Sequence, residues 1–163
     1  MGLRERLLAD YDHEIASTRR VLTSLPAERF GWTPHARART VAELAAHLTD
    51  VVGWARPILT QEWFDLNDTP SPPPRPESRT ELLERFDATS ARTRQDMDRS
   101  DAEYTALWCL KRGSAEVFAL PRESAFRAFV LHHVIHHRGQ LTIYLRLAGV
   151  AVPAVYGPTG DDS

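Results

Sequence analysis

This chain has a single cysteine and neither long apolar runs nor an excess of positive charge, and each scarcity excludes something. Of 163 residues, 20 are Lys or Arg and 22 are Asp or Glu, a formal net charge of −2. That is not the basic footprint of a nucleic-acid binder. No stretch approaches the ~20 apolar residues that a transmembrane helix needs. The opening segment, MGLRERLLADYDHE, mixes charge with apolar residues and lacks the apolar core of a signal peptide. The single cysteine, Cys109, has no partner for an internal disulfide and fits a reducing compartment. It reads better as a small buried hydrophobe than as a nucleophile. The expectation is a cytoplasmic protein with neither membrane nor nucleic acid as partner. What is present is apolar material, at 42% of residues, enough for one core. The length fits a single domain over residues 1–163.

Four segments carry helical periodicity. The first runs from about Leu3 to Leu25, with a stripe of Leu8, Tyr11, Ile15, Thr18, Leu22 and Leu25, and Pro26 stops it. The second begins at Thr40, where Thr40-Val41-Ala42-Glu43 matches a capping box. Its stripe is Leu44, Leu48, Val51, Ala55 and Ile58. Pro57 should disturb it, because proline lacks the amide hydrogen and clashes with the carbonyl four residues back, at Gly53. Five of the eleven prolines then fall within Thr69–Pro76, which reads as an extended crossover rather than a ligand for a proline-recognising module. The third helix starts near Ser78-Arg79-Thr80-Glu81, a second capping pattern, with Leu82, Phe86, Thr93 and Met97 on its inner face. Residues 101–122 are less regular, and Lys111-Arg112-Gly113-Ser114 reads as a hairpin turn between short apolar runs. The fourth helix follows Pro121 and ends at Gly149, a C-cap. The tail from Val150 to Ser163 is expected to be irregular, and there is no internal repeat. The fold class expected is all-α: a four-helix bundle with a long Pro-rich crossover between its second and third helices.

Four of the seven histidines lie in Leu131-His132-His133-Val134-Ile135-His136-His137-Arg138. On a helix this offers two i, i+4 pairs, His132/His136 and His133/His137, each able to present two imidazoles to one ion. Helical phase separates them. At ~100° per residue, with His133 at zero, Phe126 and Tyr144 fall near ~20°, Val130 and Ala148 near ~60°, and Leu141 near ~80°. His137, near ~40°, lies inside this stripe, whereas His132 and His136, near ~−100° and ~−60°, lie toward its margin. Two inward imidazoles must be satisfied, either by hydrogen bonds to neighbouring helices or together by a metal ion. The metal reading asks for a third ligand on another helix. His47 lies between Leu44 and Val51 on the second helix's stripe. A lone histidine there would be an ordinary core residue, but the nearby pair reverses that reading. His13, facing away from its helix's stripe, and His35, beside Pro34, are weaker candidates. Three neutral imidazoles suit Zn2+, Ni2+, Fe2+ or Cu2+, with Zn2+ and Ni2+ leading and Fe2+ next. They leave a position open for water or substrate. Gln140, near ~−20°, either orients a ligand or, the favoured reading, caps a buried polar contact.

The run His133-Val134-Ile135-His136-His137-Arg138-Gly139-Gln140-Leu141, then Tyr144-Leu145-Arg146-Leu147-Ala148-Gly149-Val150, Pro153 and Tyr156-Gly157-Pro158-Thr159-Gly160-Asp161-Asp162, resembles the end of the DinB (damage-inducible protein) family. The segment from Thr40 to Leu48 resembles that family's first-ligand region. The family's tail often reads YGPSxDE, so Thr159 and Asp162 are mild departures. The resemblance implies a four-helix bundle, His47, His133 and His137 as metal ligands, and a homodimer. The wider DinB/YfiT-like metalloenzyme superfamily includes thiol-dependent S-transferases and a mycothiol-dependent maleylpyruvate isomerase, in which the metal is thought to activate a low-molecular-weight thiol. Many members have no known activity. Two functions therefore compete: a metal-dependent thiol S-transferase or related transferase or isomerase acting on a small molecule, and a non-enzymatic, metal-stabilised stress-response or binding protein. A closed four-ligand site would favour the second, an open site beside a pocket the first. No general base stands out, so the catalytic residues are left unassigned.

Overall fold

The computed structural model describes residues 2–161; Asp162, the last residue of the tail motif, lies outside them. Helix α1 (Leu3–Thr23) turns Leu7, Tyr11, Glu14, Thr18, Val21 and Leu22 inward. The expected Leu8 and Ile15 only flank the core, because the polar Glu14 and Ser17 occupy inward positions that an apolar stripe cannot reveal. Helix α2 (Val41–Gly53) starts at Thr40, whose hydroxyl accepts from Glu43 N while the Glu43 carboxylate accepts from Thr40 N. The helix breaks at Trp54 and resumes as α3 (Ala55–Thr60), as expected where Pro57 cannot bond back to the Gly53 carbonyl.

Helix α4 (Arg79–Asp96) starts at Ser78, whose hydroxyl accepts from Glu81 N. Its Leu82, Phe86, Thr93 and Met97 are buried. Arg19 grips Asp87 and Arg94 grips Asp12 through paired 2.8–2.9 Å bonds, which sets α1 and α4 antiparallel. Inside, the Tyr11 hydroxyl donates to the Ser90 carbonyl at 2.9 Å and the Thr93 hydroxyl to the Val52 carbonyl at 3.1 Å. Residues 69–76 form an extended strap without regular structure. Arg75 pairs with Glu43, and Arg85 donates to the Pro74 carbonyl, tying the strap down.

The all-α, four-helix-bundle expectation is corrected here. Strands β1 (Trp63–Asp65), β2 (Leu107–Arg112) and β3 (Ala115–Pro121) form a mixed sheet in the order β1-β2-β3. The β2–β3 hairpin turns where the sequence places Gly113, which takes φ +61, a conformation glycine adopts freely. Asp65 accepts from Gly113 N at 2.9 Å, so the turn is fastened to β1. β1 pairs parallel to β2, with Phe64 opposite Leu110. The hairpin turn was legible, but a three-residue strand that exists only by pairing with a distant hairpin leaves no periodicity of its own. Helix α5 (Asp101–Thr105) precedes β2. The expected fourth helix is also not one helix: α6 (Arg122–Phe126) passes through a π-turn over residues 127–131 into α7 (His132–Leu147).

Gly149 closes α7 at φ +73. Its N–H donates to the Arg146 carbonyl and that of Val150 to the Leu145 carbonyl, the paired bonds that satisfy the last carbonyls of a helix. The core lies between α1, α2, α4 and α7, around Leu48, Phe86, Phe126 and Leu141, each fully buried. Truncating Leu48 to Ala would cost about 2–5 kcal/mol. Among the described residues no helix is long and apolar enough to cross a membrane.

Candidate metal centre

On α7 the buried residues are Val134, His137, Arg138, Leu141 and Leu145. With His133 at zero, these centre near ~100° rather than the ~40–60° read from the sequence. His137 is therefore buried while His133 stays half-buried at the edge of the stripe, and His132 and His136 are exposed. This displacement places the imidazoles at an opening instead of sealing them in the core. Helix α2 packs alongside and contributes half-buried His47.

The structure brings His47, His133 and His137 together, with one ligand nitrogen from each lying within 4.8 Å of the others. The Nε2 atoms of His133 and His137 are 2.8 Å apart. The His47 ring centre lies 4.7 Å from that of His137 and 5.4 Å from that of His133. His13 instead stacks on Tyr156, and His35 accepts from the Arg37 amide in its own loop. Among the described residues no fourth His, Cys, Asp or Glu joins the group.

The donors fit a divalent ion. Gln140 Oε1 lies 2.7 Å from His137 Nδ1, so Nδ1–H donates to it and Nε2 keeps its lone pair. The contact fits both roles considered for Gln140, since it caps a polar atom of buried His137 and orients a candidate ligand. Such a partner fixes the tautomer and ring angle of a metal-binding histidine. Two facing imidazole nitrogens at this spacing must share a proton or a cation. Zn–N bonds of ~2.0–2.1 Å in a tetrahedral site would hold two nitrogens roughly 3.3 Å apart. That value lies between the 2.8 Å of the closest pair and the 4.8 Å limit of the group.

Burial keeps all three rings neutral, as ligands must be. It pushes His47 down to about 4, with the charge of Arg39 and the other two imidazoles adding to the effect. Burial likewise lowers His133, helped by His137 and His136. His137 is lowered by burial, against the opposing bond to Gln140.

Of the three histidines, His47 lines a cavity of about 660 Å3 beside the cluster. Trp54, missed in the sequence reading, presents its edge to His47 and His133 at 5.7 and 5.2 Å. Phe118 of β3 stacks on Phe129 at 5.1 Å, and both face the cavity with Phe64 and Leu110. The unforeseen sheet thus supplies one wall of the site.

The opposite flank of α7 holds Arg138, only 2% exposed. It pairs with Glu14 Oε2 at 2.6 Å and donates to the Glu14 carbonyl, the Thr18 hydroxyl and the Tyr156 hydroxyl. Tyr156 in turn donates to Glu14 at 2.9 Å, pinning the C-terminal tail against α1.

The fold that carries this cluster has counterparts among known proteins. The DinB family model matches residues 5–163, and the chain belongs to the DinB family. A solved DinB-like protein from Bacillus cereus ATCC 10987 superposes with a TM-score of 0.75 at 22% identity, over 93% of this chain and 97% of that one. The DinB-like protein YjoA of Bacillus subtilis gives 0.73 at 11% identity, over 94% and 99%. At those identities the likeness is one of fold. A 34-residue stretch is 47% identical to the uncharacterized protein YrdA of Bacillus subtilis (strain 168), covering 21% of this chain and 20% of that protein.

Proposed function

We propose that this protein is a divalent-metal-dependent enzyme, a thiol S-transferase or a related transferase or isomerase acting on a small molecule. The observation that carries this reading is a three-imidazole cluster with no fourth protein ligand among the described residues, beside an apolar cavity. A metal that only held the fold together would call for a closed site. When bound, the ion supplies positive charge that lowers the pKa of a thiol from its free value of ~8.5. The protein's own groups do the rest. Gln140 holds His137 in its tautomer. Trp54 shields His47 and His133, and the Phe118–Phe129 stack offers an apolar surface to the electrophile. Zn2+ or Ni2+ is the ion proposed, from the all-nitrogen donor set. The proposed setting is the cytoplasm, and the proposed assembly a homodimer, for which exposed Ile143 and Leu147 on α7 offer an apolar surface. Light scattering should then read twice 18.4 kDa.

The direct test is spectroscopic. Adding a thiol to the cobalt-substituted protein should produce an intense sulfur-to-metal band in the near ultraviolet. The band should grow from about pH 6 to 8 as thiolate becomes available, and it should be lost in His47→Ala. A spectrum that no thiol alters would contradict the thiol reading.

A further inference from the structure

The outer face of α2 forms the floor of the cavity. His47, Asp50, Trp54 and Pro57 recur at intervals of three, four and three residues, and all line it. Residues three apart on a helix hold their Cβ atoms ~5–6 Å from each other, so Asp50 is the next side chain along the floor from His47. It is half-buried, and its carboxylate makes no hydrogen bond or ion pair among the described residues. The neighbouring acids are already engaged. Asp96, on the far wall, pairs with Arg56 at 3.0 Å. Glu43, one turn before His47, is held by the Thr40 amide and Arg75. The cations whose charge reaches Asp50 are Arg85 and Arg39. Arg85 is taken up by Glu81 and the Pro74 carbonyl, and Arg39 is exposed and, among the described residues, forms no ion pair with Asp50.

A half-buried carboxylate without a donor is costly. Burial pushes the Asp50 carboxyl up, with the charges of Arg85 and Arg39 opposing it. Such a group inside a ligand cavity is completed by a donor that the ligand brings, and a charged donor gives the strongest bond. We propose that Asp50 recognises a positively charged amine on the ligand, one end of which is held at the histidine cluster. The ligand class is then a small amine-bearing thiol. This rests on the reading of the cluster as a metal centre with an open position, and it names the chemistry of the ligand's second end.

Two probe pairs separate this inference from the reading beneath it. The cobalt-substituted full chain is titrated spectroscopically with cysteamine against 2-mercaptoethanol, compared at equal thiolate concentration. It is also titrated with glycine hydroxamate against acetohydroxamate, which bind an open metal position without sulfur. In each pair the amine-bearing member should bind about tenfold tighter or more, as a hydrogen bond to a charged group implies. Asp50→Asn should erase that preference while leaving the amine-free members, the cobalt content and the far-ultraviolet circular dichroism unchanged. Binding of the hydroxamates alone, with the amine preference, would uphold Asp50 and remove the thiol reading. Equal binding within both pairs, or a preference that survives Asp50→Asn, would overturn the role of Asp50 and leave the thiol reading standing. Failure of all four probes to bind would overturn both.

Discussion

The two flanks of α7 hold polar groups under opposite conditions. On one, Arg138 is buried and its guanidinium is taken up by Glu14, Thr18 and Tyr156. On the other, His133 and His137 face each other beside a cavity, with His47 across from them. A closed network is complete without a ligand, whereas converging nitrogens at an opening are not. The difference separates a group satisfied within the fold from groups left open to a ligand.

The largest effect should come from breaking the closed flank. Arg138→Ala leaves Glu14 buried with an unpaired charge, and should cost about 3–5 kcal/mol in denaturant unfolding. The C-terminal tail should become more protease-sensitive at the same time, since Tyr156 loses one of its two anchors. Next is Gln140→Ala, which touches only the open flank. Without its acceptor, His137 is free to change tautomer and tilt, and metal affinity should fall ~10–100-fold. Thermal stability of the metal-free protein should barely change. Equal losses of stability in the two variants would erase the distinction between the flanks.

A third effect depends on pH. Burial holds the folded-state pKa values of His47, His133 and His137 below the ordinary value, His47 at about 4. The unfolded chain, with histidines near ~6.5, therefore binds more protons as pH falls. The metal-free protein should lose stability from about pH 6.5 down toward 4, and His47→Gln should make that loss shallower. Metal affinity should stay level through about pH 6.5 and weaken only as the pH falls toward the lowered folded-state values, because protons compete only once the folded rings begin to titrate. The smallest effect concerns Arg39, whose charge disfavours a second cation near all three imidazoles. Its removal should tighten metal binding by ~2-fold, the scale of an exposed charge.

How much of this was legible in the sequence follows the same division. Features set by local chemistry were readable: the caps at Thr40 and Ser78, the break imposed by Pro57 and the stop at Gly149. The choice of the His133/His137 pair over His132/His136 also came from periodicity, and the structure brings that pair to His47 while leaving the other exposed. Features set by distant partners were not readable. Glu14 and Arg138 look like surface residues until one is seen to bury the other. The π-turn before His132 and the inward Arg138 go with a stripe centred away from the one read off the apolar residues. Strand β1 exists only because β2 lies beside it. Asp50 carries no motif; only the cavity around it distinguishes it from any other helix-surface acid.

The central claim, that the open flank of α7 and His47 form one metal site, is tested most directly by metal content. Chains are purified with histidine substituted by alanine at positions 47, 132, 133, 136 and 137, alongside wild type, and their divalent metal is measured after dialysis. Wild type should hold close to one ion per chain, removable by chelation. That ion should be lost in His47→Ala, His133→Ala and His137→Ala, and retained in His132→Ala and His136→Ala. Loss of the ion in the His132 and His136 variants with retention in the other three would contradict the claim.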